Sequence, residues 1–137
     1  MKKLFLDTNI VIDLLAHRVQ FYDEVATLFS LADQKQIELS VSSLTFANTS
    51  YTLLKQLNAN KTKETLRKLK LIVKVLSLDD KIIELALNDQ QFSDFEDGLQ
   101  YFTAVENYQD IIITRNLKDF KKSKLPVLSA KQFIDSF

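Results

Sequence analysis

The chain contains no cysteine, one glycine, one proline and one histidine in 137 residues. Each shortage removes a class of chemistry. Without cysteine there is no disulfide, no thiol nucleophile and no cysteine-bound zinc. A phosphate-binding glycine loop and a dinucleotide fingerprint each need several glycines, and Gly98 stands alone. His17 cannot by itself build a two-histidine metalloprotease motif, and serine–histidine–aspartate chemistry would have to run through it. It lies in AHRVQ, at the expected end of the first helix, where a cation suits the helix dipole. No apolar run approaches the ~20 residues of a membrane helix. The opening MKKLFLD turns acidic too soon for a secretory signal, so a cytoplasmic address is the expectation. Enzymatic chemistry then has to come from carboxylates, and from a metal that they hold.

What is present is ordinary globular material: 46% hydrophobic and 26% charged residues. The length suits one domain, residues 1–137, with its own core. Basic and acidic residues balance at 18 each, which neither favours nor forbids a nucleic-acid partner. Lysine and arginine do cluster at Lys61, Lys63, Arg67, Lys68, Lys70 and Lys74, and again at Lys118, Lys121, Lys122 and Lys124. The plain reading of both clusters is a solvated face.

Hydrophobic periodicity alternates between strand and helix along the chain. KKLFL (2–6) reads as a short buried strand, followed by helices over 9–17 and 21–35. IELSVSS (37–43) reads as a strand entering a helix over 45–57, and 62–73 as a basic amphipathic helix. A strand at 73–78, a helix at 79–89 and a longer helix at 93–108 follow. DIIITRN reads as a central strand because its isoleucines run without alternation, LPVLS as a last strand, and 129–136 as a closing helix. Strands alternating with helices predict an α/β fold: a three-layer α/β/α sandwich on a central, mostly parallel sheet. Such sheets bind ligands beyond the carboxyl ends of their strands. Asp7, in LFLDTNIVID, sits at one such end.

Oxygen-bearing residues recur at equivalent places. Thr45 and Asn48 follow the second strand; Asp94, Glu96 and Asp97 open the long helix in SDFEDGLQYF; Asn116 and Asp119 follow the isoleucine strand. Taken singly, each has a local role. Asp7 or Thr8 would cap the first helix, Ser93 with Glu96 matches a capping box, and Asn116 and Asp119 are ordinary turn residues. Caps do not explain why these groups gather at one sheet edge. Clustered carboxylates repel one another unless a cation lies among them, and an all-oxygen set suits Mg²⁺ or Mn²⁺.

LFLDTNIVID, TFANTSYTL, DFEDGLQYFTA and IIITRNLKDF, in this order and over essentially the whole chain, resemble the PIN domain family, whose bacterial members include VapC-type toxins. The resemblance implies a Mg²⁺- or Mn²⁺-dependent ribonuclease that leaves a 5′-phosphate, often dimeric and paired with an antitoxin protein. It aligns Asp7 with the first metal-binding acid and Asp97 with the later helix acid. Asn48 falls where many members carry Glu, and Asn116 where many carry Asp. These are two departures that keep an oxygen and lose a charge. The expected catalytic set is Asp7, Asp94, Asp97 and Asn116, with Asp7, Asp94 and Asp97 on the metal. Glu96 and Asp119 are expected to compensate in part, and Asn48 and Asn116 to orient a ligand, water or phosphate.

Thr8 and Thr114 flank the acids, to hold a carboxylate or a metal-bound water, or simply as a cap and a strand hydroxyl. Arg115 has two roles open, a phosphate contact or an ion pair with one of the acids. Tyr51, Tyr101 and Tyr108 fit half-buried core better than base stacking. Gly98, inside a first helical turn, allows a close backbone approach or has no role. Phosphotransfer enzymes with a strand-one nucleophile need a second acid two residues on, where this chain has Asn9. The competing expectation is a domain disabled by Asn48 and Asn116 that binds RNA or protein without cutting.

Overall fold

The computed structural model describes residues 1–137. Its strands are β1 (Lys2–Leu6), β2 (Ile37–Ser42), β3 (Lys74–Leu76), β4 (Ile111–Ile113) and β5 (Val127–Leu128). The helices are α1 (Thr8–Leu15), α2 (Tyr22–Asp33), α3 (Ser43–Leu53), α4 (Ala59–Lys70), α5 (Asp80–Asn88), α6 (Phe95–Glu106) and α7 (Ala130–Ser136), with a 3-10 turn at Leu117–Phe120. The strands form one sheet in the order β3-β2-β1-β4-β5, and every pairing is parallel. The sheet is thus parallel throughout, where the sequence predicted a mostly parallel one.

β1 lies at the centre, and its apolar run follows from that position. Leu4 and Leu6 enter one core with Val11, Leu28, Leu39 and Phe133, while Phe5 enters another with Tyr101, Ile112 and Phe120. Both faces of the strand are covered, so neither needs polar residues. Ile111 and Ile113 fall in the first core and Ile112 in the second, by the same alternation. Burying each such Leu or Ile contributes about 1.5–3 kcal/mol.

Glycine scarcity shows at the helix ends. α1, α2 and α6 each end with a residue in the left-handed region: His17 (φ 52), Lys35 (φ 62) and Tyr108 (φ 56). In each, the next N–H reaches back to close a Schellman motif, as Arg18 N–H does on the Asp13 carbonyl at 3.0 Å. His17 therefore lies just past α1 rather than in its last turn, and its ring stacks on Tyr22 at 3.8 Å. Gly98 has no unusual backbone. A Cβ there would lie 3.6 Å from the Ala86 Cβ and 3.7 Å from the Phe92 Cβ, ordinary contacts, so neither the acids nor a close backbone approach requires glycine.

Topology selects the place for a site. β1, β2 and β3 run outward in one direction, while β4 and β5 lie on the other side of β1. The order reverses between β1 and β4, and a crevice opens beyond their carboxyl ends. The pair Leu6–Ile113 closes that ladder, and the next residues are Asp7 and Thr114.

Candidate active site

Asp7 leaves β1 in extended conformation and caps α1. Its Oδ1 accepts the Thr8 N–H at 2.8 Å, and its Oδ2 accepts the Thr114 hydroxyl at 2.8 Å and, more weakly, the Asn9 amide at 3.4 Å. The side chain is nearly buried, with the residue 8% exposed. Burial pushes its carboxyl above the usual range, and the negative charges of Glu96 and Asp119 add to that, against the hydrogen bonds from Thr114 and Thr8.

α6 brings the second group. Asp94 is its N-cap, and Oδ1 accepts the N–H of Glu96 at 2.8 Å and of Asp97 at 3.2 Å. The capping residue is thus Asp94, one position after the Ser93 expected from the S-x-x-E pattern. The half-buried Asp97 has its carboxyl pushed up to about 7, first by burial and then by the charges of Asp94, Asp7, Asp119 and Glu96. Asn48, on α3, donates from Nδ2 to Glu96 Oε1 at 2.9 Å.

The segment after β4 supplies the third side. Thr114 Oγ1 accepts the Asn116 N–H at 3.0 Å while its own proton holds Asp7. Asn116 starts the 3-10 turn with an exposed side chain that forms no hydrogen bond within the chain. That turn carries Lys118 and Asp119 to a cleft of about 450 Å³ lined by Asp94, Asp97, Lys118, Asp119, Lys121 and Lys122. Lys118, Lys121 and Lys122 of the second basic cluster therefore rim the acids, whereas Lys61, Lys63, Arg67, Lys68 and Lys70 form the exposed face of α4.

Several expected roles change. The Thr8 hydroxyl does not touch an acid. It bonds to the Thr45 hydroxyl at 2.9 Å and accepts from Gln100 Nε2 at 3.0 Å, and Gln100 also reaches Thr45 at 3.2 Å. This buried triad ties α1, α3 and α6 together beneath the acids. Gln100 was missed in the sequence; its signal is an amide one turn beyond Asp97 on the inward face of α6. Arg115 turns away from the acids. Its Nε donates to Asp13 Oδ2 at 2.7 Å, and its guanidinium lies over the Phe21 ring at 4.3 Å. Asp13 is fully buried, with Arg18 Nη1 as a second partner at 3.6 Å from Oδ1. That partner is not one of the cleft acids, and the two Nη atoms of Arg115 have no hydrogen-bond partner within the chain. Tyr101 is buried, and its hydroxyl accepts the Lys124 N–H at 3.1 Å. Tyr51 and Tyr108, expected in the core, are 73% and 83% exposed.

Asp94, Asp97 and Asp119 line one cleft, and the charges of Asp94, Asp7, Asp119 and Glu96 all bear on the Asp97 carboxyl. The donor set is all oxygen, the chemistry Mg²⁺ and Mn²⁺ prefer. No trio of these acids draws close enough to enclose an ion unaided. The PIN domain pattern matches residues 3–118. The chain belongs to the PIN domain family. Ribonuclease VapC1 of Aquifex aeolicus (strain VF5) is 27% identical over 139 residues, covering 98% of this chain and 94% of the relative. Among solved structures, the DNA-bound VapBC of Salmonella typhimurium matches with a TM-score of 0.70 at 19% identity, over 95% of this chain and 99% of that one. A toxin–antitoxin complex from Klebsiella pneumoniae matches with a TM-score of 0.68 at 21% identity, over 93% and 97%. At these identities the structural likeness establishes the fold: a PIN-type three-layer α/β/α sandwich.

Proposed function

We propose that this PIN domain is a Mg²⁺- or Mn²⁺-dependent endoribonuclease, the toxin component of a toxin–antitoxin pair. The carrying observation is the cleft lined by Asp94, Asp97 and Asp119, in which burial and the neighbouring charges push the Asp97 carboxyl up to about 7. An arrangement that sets charges against one another at a sheet edge gains most when a cation joins it. Asp7, Asp94 and Asp97 would hold the ion, in part through its bound waters, and it would supply an acidified water and neutralise charge developing on the phosphate. Thr114 keeps the Asp7 carboxylate aimed by its 2.8 Å hydrogen bond. Asn116, at the start of the 3-10 turn with its side-chain amide unpartnered, and Asn9 beside Asp7 would orient water or phosphate. Lys118, Lys121 and Lys122 at the rim would bind phosphates flanking the scissile one.

The name of the Aquifex relative supports RNA as the substrate, and the names of the structural neighbours support a cognate antitoxin. A homodimer belongs to the same reading, and light scattering would find about twice the chain's 15.8 kDa. No helix is long and apolar enough to cross a membrane. The deciding experiment is cleavage of mixed single-stranded and structured RNA with Mn²⁺, comparing wild type with Asp7→Asn. Cleavage by the wild type alone is expected. No cleavage by either protein would turn the assignment toward a binding module, and equal cleavage by both would remove Asp7 from the mechanism.

A further inference from the structure

The acidic cleft does not end at its lysine rim. A second hollow of about 370 Å³ adjoins it, and Gln91, Phe92 and Lys122 line both. Its floor is aromatic. Phe92 and Tyr101 are buried and stacked with ring centroids 4.6 Å apart, and Phe102 meets Tyr101 edge-on at 5.1 Å. Phe102 and Val105, both half-buried on α6, carry the apolar surface toward solvent. Two backbone ties hold the walls. Asp89 Oδ2 accepts the Gln91 N–H at 2.9 Å and the Phe92 N–H at 2.7 Å, which turns the chain after α5. The Tyr101 hydroxyl accepts the Lys124 N–H at 3.1 Å and anchors the segment after the 3-10 turn to the same floor.

The polar groups around this floor are those a nucleotide uses. Lys122 and Lys124 are exposed, and neither forms an ion pair within the chain. Lys122 also stands on the acidic cleft, so a phosphate chain that follows the cleft rim meets the second hollow at a lysine. The exposed Gln91 amide has no hydrogen-bond partner within the chain, which leaves a donor and an acceptor for the edge of a base. Asp89 keeps Oδ1 open to a ribose hydroxyl or an amino group, and its charge confines phosphate to the lysine side. Aromatic floor and lysines together suit a flat ring that carries a phosphate. An apolar peptide side chain would use the floor and leave the lysines idle.

We propose that this hollow is a nucleobase subsite, which takes a base flanking the scissile phosphate against Phe102, over the Phe92–Tyr101 pair, with Lys122 and Lys124 on the adjoining phosphate. The inference rests on reading the acidic cleft as the place of RNA cleavage and adds the next contact along the strand. Every base has a face that stacks, so the subsite responds to the presence of a base more than to its identity.

The test is the fluorescence anisotropy of two labelled strands of equal length on the full chain, a mixed-sequence single-stranded RNA and a strand whose riboses carry no base. Binding is measured in Ca²⁺, an oxygen-binding cation that screens the acids as Mn²⁺ would. Wild type, Phe102→Leu and Lys124→Glu are compared, with a melting curve for each. Wild type is expected to prefer the RNA by about tenfold. Phe102→Leu keeps an apolar side chain and removes the ring; it is expected to lose most of that preference and to bind the abasic strand like wild type. Lys124→Glu is expected to weaken both strands alike, and unchanged affinity there overturns the phosphate contact. Ultraviolet cross-linking of wild type to the RNA needs no variant and is expected to map to the segments around Phe92 and Phe102; adducts only elsewhere overturn the location. Equal binding of the two strands by wild type, or an unchanged preference in Phe102→Leu, overturns the subsite and leaves the hollow to a side chain of a protein partner. Mn²⁺-dependent cleavage without base preference removes the subsite and keeps the ribonuclease, whereas no binding of either strand overturns both.

Discussion

Asp97→Asn removes one negative charge from the crowded end of α6 while keeping the shape of the side chain. In the metal-free protein the folded state holds the Asp97 proton up to about pH 7, against an ordinary value of 3.8. Between those limits the folded chain binds protons that the unfolded chain has released. Stability is therefore full below pH 3.8, falls as pH rises toward 7, and levels off above it. At about 1.4 kcal/mol per pH unit the whole displacement would be worth about 4 kcal/mol. Asp97 is only half-buried, and solvent screening brings the expected effect down to about 1 kcal/mol. For a chain of this length that is roughly 3 °C in melting temperature. In EDTA at pH 8 the Asn variant should thus melt roughly 3 °C above wild type, and the gap should close toward pH 4. Adding Mn²⁺ at pH 8 should raise the wild type and leave the variant nearly unmoved. The assay is thermal unfolding followed by circular dichroism. Parallel pH profiles for the two proteins, or a variant less stable than wild type in EDTA, would refute the claim that the acids repel one another here.

Arg115→Ala strands Asp13, whose side chain is 0% exposed, with only Arg18 at 3.6 Å. Losing a buried partner costs about 3–5 kcal/mol, and the retained Arg18 places the expected loss near the lower figure in urea unfolding. A loss below about 1 kcal/mol would mean that Arg18 alone sustains the carboxylate. Gly98→Ala should stabilise α6 by about 1 kcal/mol, because the new methyl meets only ordinary contacts at 3.6 and 3.7 Å; destabilisation would show that the helix packing there is tighter than its geometry implies. Lys121→Ala combined with Lys122→Ala should weaken binding to single-stranded RNA with little dependence on sequence and flatten the log–log salt slope by about 0.7 per lysine. An unchanged slope would place the RNA track elsewhere.

The parts legible in the sequence are those with local causes. Leu4, Phe5 and Leu6 show a strand covered on both faces because an unbroken apolar run has no solvent side. Asp7 directly after such a run is a residue at a strand's carboxyl end, where α/β sheets keep their sites. The first turn of α6 was legible as acidic, and only the choice of cap moved, from Ser93 to Asp94, since both residue types cap equally well. The less legible parts join residues far apart in the chain. Arg115 finds Asp13 across 102 positions, Gln100 finds Thr8 across 92, and Asn48 finds Glu96 across 48. Nothing in the neighbourhood of Arg115 distinguishes an arginine for phosphate from an arginine for a buried carboxylate. Tyr108 is exposed and holds the left-handed position just past α6 that glycine most often takes.

By itself the sequence determined the alternation of strands and helices and the restriction of any catalysis to oxygen ligands. Both depend on composition and on periods of 2 and 3.6 that are complete within one element. The tertiary structure decided that β1 and β4 lie side by side, so that the Thr114 hydroxyl, 107 positions away in the chain, donates to the Asp7 carboxylate at 2.8 Å. It also decided that burial and four neighbouring charges act together on Asp97. Neither is written in any one segment. Which strand lies beside which is settled only when the apolar faces of all the elements are buried together, and a carboxylate's proton affinity is set by whatever that packing brings within reach.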